Sequence, residues 1–302
     1  TLFLLRIIFR IFFIGVLMHI NLRKIETFIK NDKRLYGVLL RKMFSWDNSE
    51  DDAFIEDMIH NLLSLQRENG SWLDSPYHTA KCIELLTFFK VKGQEIRNAV
   101  DYIFSTRNKG LLAYPSFFPR REKYVKFLGA PKYRASDFAY SSYIAYVLNL
   151  AGYENDSRLR EFKETFMNLF RDGFYCCFYC TNIGLRFLGT NRTIRNSSTA
   201  INSLKYFELL LDEKGWRRGA GLITYVPIYL PIHTLTYFKD VKEAQEIFMQ
   251  ALNILLRKVK KNGSWGNSSE YTFIAINALK SFGILGINIY GSLKLNLQRE
   301  YM

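Results

Sequence analysis

The sequence predicts an all-α protein built from repeated helical hairpins, each pairing an outer helix with an inner one. Three observations carry that prediction. First, the tetrapeptide Asn-Gly-Ser-Trp occurs twice, at Asn69–Trp72 and Asn262–Trp265, 193 residues apart. Second, the same offset carried along the chain without gaps aligns Ile59 with Leu252, Leu62 with Leu255, Thr79 with Thr272, Ile83 with Ile276, Leu86 with Leu279 and Gly93 with Gly286. Third, the segment after the turn has further copies. Ala275-Ile-Asn-Ala-Leu-Lys-Ser-Phe282 reads almost as Ala200-Ile-Asn-Ser-Leu-Lys-Tyr-Phe207, and a fainter copy carries Ala139, Ile144 and Gly152. In that register the inner helices start near residues 79, 138, 197 and 272. A turn repeated inside matching helical patterns marks an internal repeat.

Composition bounds the possibilities. At 302 residues and 48% hydrophobic, the chain buries a sizeable core. With 25 Phe and 19 Tyr, rings either fill the layers between repeats or line an aromatic cavity. The net charge of +14 suits anionic partners such as phosphates or lipid headgroups. It is scattered over Arg120-Arg121, Lys132–Arg134, Arg186–Arg195, Arg217-Arg218 and Arg257–Lys261, with no basic helix or ring-studded sheet to read bases. That argues against nucleic acid. Four cysteines, three of them at Cys176, Cys177 and Cys180, make no disulfide framework and fit a reducing, cytoplasmic setting.

In chain order, Thr1–Ile20 is strongly apolar, with Arg6 and Arg10 four apart. The run after Arg10 is too short to span a bilayer, which takes about 20 apolar residues. It reads as an anchor lying at the membrane surface, which allows peripheral membrane contact, or as sequence upstream of a start at Met18. Residues 21–45 show helical spacing (Ile25, Phe28, Ile29; Leu35, Val38, Leu39) and predict one or two packing helices. Ser49 with Asp52 three residues on predicts a capping box, placing Glu50, Asp51 and Asp52 in a first turn rather than in a catalytic acid motif.

An outer helix over about 50–66 then meets the turn. Gly70 is expected to supply the left-handed residue that stops it. Trp72 is expected to fold back over the turn, and the Gln66 amide to tie neighbouring hairpins. Pro76 opens an inner helix to about residue 91, apolar on most of its circumference. Residues 94–106 form the next outer helix. Residues 109–134, with Pro115, Pro119 and Pro131 among many rings, form a long loop of the kind used as a lid or binding element. Inner helices follow at 137–150 and 197–211, with an outer helix over 158–170 between them. Pro227 and Pro231 break a degenerate helix within 222–238, and 241–259 and 270–285 are the last pair. The division is an N-terminal segment, 1–45, one helical-repeat domain, 46–288, and a tail, 289–302.

Hairpins with Gln-x-x-x-Gly-x-Trp turns and alternating outer and inner helices resemble the α/α-toroid superfamily, a barrel of helical hairpins. Its members include the squalene and oxidosqualene cyclases, the class II diterpene cyclases and the protein prenyltransferase β subunits. The resemblance covers about residues 50–286. It rests on Gln66, Gly70 and Trp72, and on Gly263 and Trp265, where Val259 replaces the glutamine. It implies a closed double ring around an apolar cavity. The cyclases' Asp-x-Asp-Asp acid and the prenyltransferases' Asp-x-Cys zinc ligands do not occur in this sequence.

Parallel inner helices aim their N-termini at one mouth, where their dipoles favour an anion such as a diphosphate. The polar residues there are Tyr77 and His78, Asp137 and Tyr140, Asn196, and Glu270 and Tyr271, with His233 in the proline-broken segment. Asp137 is the candidate acid and His78 the candidate base or phosphate contact; ordinary capping is the structural alternative for each. The adjacent Cys176 and Cys177 suit one tetrahedral metal site badly, so no metal is assigned, and no cofactor is called for. The leading expectation is a terpenoid-cyclase/prenyltransferase-like protein that binds a long apolar, isoprenoid-type ligand, with or without transforming it. The rival is a non-catalytic toroid that binds a protein or peptide partner.

Overall fold

A computed structural model describes residues 21–107, 111–112, 135–170, 177–219, 224–287 and 293–295. The N-terminal segment 1–20 and, apart from Leu111 and Leu112, the loop 109–134 lie outside them. The described chain is mostly helical, in keeping with the all-α prediction, with two short antiparallel strand pairs that the sequence did not announce. Among the described residues no helix is long and apolar enough to cross a membrane. The chain forms two compact units. One comprises 1–52, 210–217 and 223–302; the other comprises 53–209 and 218–222.

The first unit joins the first and the last described elements of the chain. Helices α1 (Leu22–Asn31) and α2 (Leu35–Phe44) come from the N-terminal segment, as its spacing predicted. Buried Arg41 organises their junction. It donates to the Ile29 and Asp32 carbonyls at 2.8 and 2.6 Å and forks onto the Asp51 carboxylate, with Nε–Oδ2 at 2.8 Å. That carboxylate sits in the first turn of α3 (Ser49–Ser64), whose cap is Asn48 rather than Ser49: the Asn48 side chain accepts from the Asp51 N–H at 3.0 Å. The predicted capping box is therefore displaced by one residue, because Asp51 is pulled inward by Arg41 while Asp52 remains at the surface with Lys42.

Later in the chain this unit contains the hairpin β1 (Leu211–Asp212) and β2 (Gly215–Trp216), helix α10 (Tyr229–Leu235) with a 3-10 turn over Thr236–Phe238, and the pair α11 (Lys242–Arg257) and α12 (Ser269–Ser281). Strand β3 (Leu285–Ile287) pairs with β4 (Leu293–Leu295), which lies in the predicted tail. α12 packs against both α2 and α10, and the Lys280 ammonium donates to the Met43 carbonyl at 2.7 Å.

The second unit continues α3 and adds α4 (Pro76–Phe88), α5 (Gln94–Ser105), α6 (Ala135–Leu150), α7 (Arg160–Phe170), α8 (Phe178–Thr190) and α9 (Ser198–Leu210). Its core is a run of phenylalanines. Phe138 stacks on Phe166 at 5.2 Å and Phe166 on Phe170 at 4.7 Å, with the Phe187 edge 4.8 Å from Phe166. These four rings have at most 1% of their surface exposed, so here aromatic content fills layers between helices.

Three differences from the sequence reading concern which helices are inner. α4 is half-exposed, with Lys81 at the surface and Phe88 48% exposed, instead of buried on most of its circumference. α8, which the repeat register passed over, is buried on nearly every side and packs along α6. α9, expected to be inner, keeps Asn202, Lys205, Glu208 and Leu209 at the surface.

Candidate functional site

The two Asn-Gly-Ser-Trp corners are the same structure. In each, the Trp indole N–H donates to a carbonyl in the last turn of the preceding helix: Trp72 to Leu62 at 2.8 Å, Trp265 to Leu255 at 2.9 Å. Each Trp backbone N–H reaches a threonine hydroxyl in the following helix, Thr79 at 3.0 Å or Thr272 at 2.9 Å. Asn69 and Asn262 accept from the N–H of Ser71 and Ser264, and Ser75 and Ser268 cap α4 and α12. Every one of these atoms obeys the 193-residue offset.

Gly70 and Gly263 have φ of +82° and +87°, and a Cβ on either would lie 2.3 Å from a backbone oxygen, of Asn98 or Lys24 respectively. Gly70 therefore does not stop α3, which ends at Ser64; it lets the corner lie against α5. Gln66 completes that contact, donating to the carbonyls of Gly70 at 2.9 Å and Glu95 at 2.8 Å. The second corner lies in the same way against α1.

Beside the first corner, α4 and α6 build a tyrosine cluster. Residues 77, 81 and 84 share one face of α4 at helical spacing, and Tyr140, Tyr143 and Tyr146 follow one another every three residues along α6. Tyr77 meets the ring of Tyr140 edge-on at 4.9 Å and that of Tyr143 at 5.3 Å. The Glu84 carboxylate accepts from both α6 hydroxyls, Tyr146 at 2.9 Å and Tyr143 in a short bond. The Lys81 ammonium lies 4.9 Å from the Tyr77 ring centroid, a cation–π contact. Burial, and then the Glu84 charge, hold the Tyr143 phenol far above its ordinary pKa, against the opposing charge of Arg186 from α8. Tyr143 is thus a fixed hydrogen-bond donor and not a base. The arrangement staples α4 to α6 and leaves Tyr77, Tyr140 and Tyr143 half-buried.

Of the sequence candidates, Tyr77 and Tyr140 are brought together here. His78 is exposed, and its Nδ1 lies 3.0 Å from the Ser75 hydroxyl that caps α4. Asp137 is buried in the first turn of α6. Asn196 is exposed in the turn before α9. In the other unit, Tyr271 stacks on Tyr229 at 4.2 Å, Glu270 is exposed, and the His233 Nε2 lies 3.0 Å from the Tyr237 hydroxyl. Burial, then the Tyr271 neighbour, push the Tyr229 phenol up to about 12. Sequence reasoning missed Glu84, Tyr143 and Tyr146. The signal available was a single carboxylate in an otherwise apolar stretch of α4, which needs a buried partner.

Elsewhere, a surface depression of about 470 Å³ on α7 is lined by Arg160, Lys163, Glu164, Met167 and Asn168. Four of its five lining residues are charged or polar. The fold so far described defines a mostly helical protein with a duplicated corner. A scan against protein-family models and a search of curated proteins return no match.

Proposed function

We propose that this chain is an α/α toroid of the terpenoid-cyclase/prenyltransferase kind that holds a long apolar, isoprenoid-type ligand against the tyrosine faces of α4 and α6. Two features support the ring. The corner at Gly263 leans on α1 as the corner at Gly70 leans on α5, so α1, the first described helix, stands in for the next outer helix after the last repeat. The same unit holds the first described helix and the last described strand.

The observation that carries the ligand reading is the half-buried group of Tyr77, Tyr140 and Tyr143, rings that pack like a lining rather than a closed core. Lys81 at the surface and Arg186 beside Tyr143 supply positive charge for a polar or diphosphate head. With neither the acid tetrad nor the zinc pair in the sequence, the reading is of holding the ligand and not of cyclising or alkylating it.

Titration of the purified full chain with geranylgeraniol and with farnesyl diphosphate, followed by calorimetry, tests this. Saturable binding, weakened at least tenfold by the double change Tyr77→Ala and Tyr140→Ala, is expected; absence of saturable binding to either probe refutes it.

One observation favours the protein-partner reading. Leu65 and Leu73 are 69% and 64% exposed on either side of the first corner, where the second corner has Lys258 and Gly266. Two leucines presented at one copy of a duplicated corner and not at the other fit a surface that docks a partner. Under that reading, Leu65→Lys with Leu73→Gly abolishes co-purification of a partner and leaves stability unchanged.

A further inference from the structure

We propose that Cys177 and Cys180 form a reversible dithiol–disulfide site whose oxidising substrate is a low-molecular-weight disulfide. The two residues stand one helical turn apart at the amino end of α8, Cys177 in the cap position with extended backbone and Cys180 inside the helix. Their sulfurs lie 3.5 Å apart. A disulfide needs a separation of about 2.05 Å and Cα atoms within about 7 Å, which a cap residue and the third residue after it satisfy. The remaining ~1.5 Å is within reach of side-chain rotation and leaves α8 in place.

Exposure divides the roles. Cys177 is half-buried whereas Cys180 is 8% exposed, so the first attack is assigned to Cys177. Cys177, as thiolate, attacks one sulfur of the small disulfide; that S–S bond breaks, one thiolate leaves, and a mixed disulfide remains on Cys177. Cys180 gives its proton to solvent and attacks the Cys177 sulfur, expelling the second thiolate. Two protein thiols are oxidised by two electrons and one disulfide is reduced to two thiols, so the exchange balances.

The third described cysteine provides a contrast. Burial pushes the Cys82 thiol up to about 11, which keeps it protonated and unreactive at neutral pH. The new bond ties the cap of α8 to its first turn, in the helix that packs along α6 and brings Arg186 near Tyr143.

The test uses the full chain, reduced and then equilibrated over a series of reduced-to-oxidised glutathione ratios, acid-quenched, alkylated with N-ethylmaleimide under denaturing conditions and weighed intact. The chain has 4 cysteines, so alkylation is expected to fall from four sites to two as oxidised glutathione rises. Fragment-ion sequencing is expected to place the bond between Cys177 and Cys180. C180S should stop at a glutathione adduct on Cys177, C177S should leave Cys180 unmodified, and C176S should behave as the unsubstituted chain. Four alkylated sites at every ratio, mixed disulfides that persist in the unsubstituted chain, or a bond placed on Cys176 would overturn the proposal. The mapping on the unsubstituted chain stands whether or not the variants fold.

Discussion

Gly70→Ala separates two costs that glycine hides, and Gly152→Ala supplies the comparison. Both positions have left-handed backbone, φ +82° at Gly70 and +91° at Gly152, so alanine at either loses roughly 1–2 kcal/mol to the backbone alone. Only at Gly70 does the added Cβ strike something rigid. It would lie 2.3 Å from the Asn98 carbonyl oxygen, against 3.4–4 Å for an ordinary contact, whereas nothing lies within 4 Å of the corresponding atom at Gly152. Because the obstacle is backbone in the first half of α5, the corner or the helix must shift by about 1 Å, an overpacking cost of roughly 1–3 kcal/mol.

Gly70→Ala is therefore expected to cost about 2–5 kcal/mol and Gly152→Ala about 1–2 kcal/mol. Gly263→Ala, whose Cβ would meet the Lys24 carbonyl oxygen at the same 2.3 Å, should match Gly70→Ala. Urea unfolding followed by circular dichroism reads the difference as a lower midpoint at unchanged slope. Equal losses for Gly70→Ala and Gly152→Ala would refute the close approach and leave backbone conformation as the whole effect.

Other consequences are open to measurement. Trp72→Phe and Trp265→Phe each leave a helix-end carbonyl without its indole donor and should cost about 1–3 kcal/mol apiece, read by the same unfolding assay. Asp51→Asn removes one partner of a buried ion pair and should cost about 3–5 kcal/mol at neutral pH. Because the Arg41 guanidinium holds the Asp51 carboxyl below its usual range, the pair's contribution is present above the unfolded-state pKa of about 3.9 and is lost as pH falls through the lower folded value. The acid limb of the stability–pH curve should flatten in the variant. Tyr229 shows the opposite sign. Its phenol is raised to about 12, so the stability tied to its neutral form is complete below about pH 10 and is lost as pH climbs toward 12. That loss is on the order of 3 kcal/mol, and Tyr229→Phe should abolish it in an alkaline unfolding series.

The sequence by itself determined most of the helices and both corners, because these are written in short-range signals. Pro76 at the start of α4 and the helical spacing of α1 and α2 act within a few residues. The twin corners could be read from one tetrapeptide because their hydrogen bonds run from Trp72 and Trp265 to atoms seven and ten residues away. What only the tertiary structure decided was which faces meet. Glu84 looks like a stray charge in an apolar helix until Tyr143 and Tyr146, 59 and 62 residues on, supply its donors. Asp51 reads as one of three first-turn acids until Arg41 selects it for burial. α8, whose one charge is Arg186, is buried on nearly every side although the repeat register held no place for it; α4, which carries His78, Lys81 and Glu84, is left half-exposed. Burial is set by what packs against a helix as much as by the helix's own residues, and those partners arrive from distant parts of the chain.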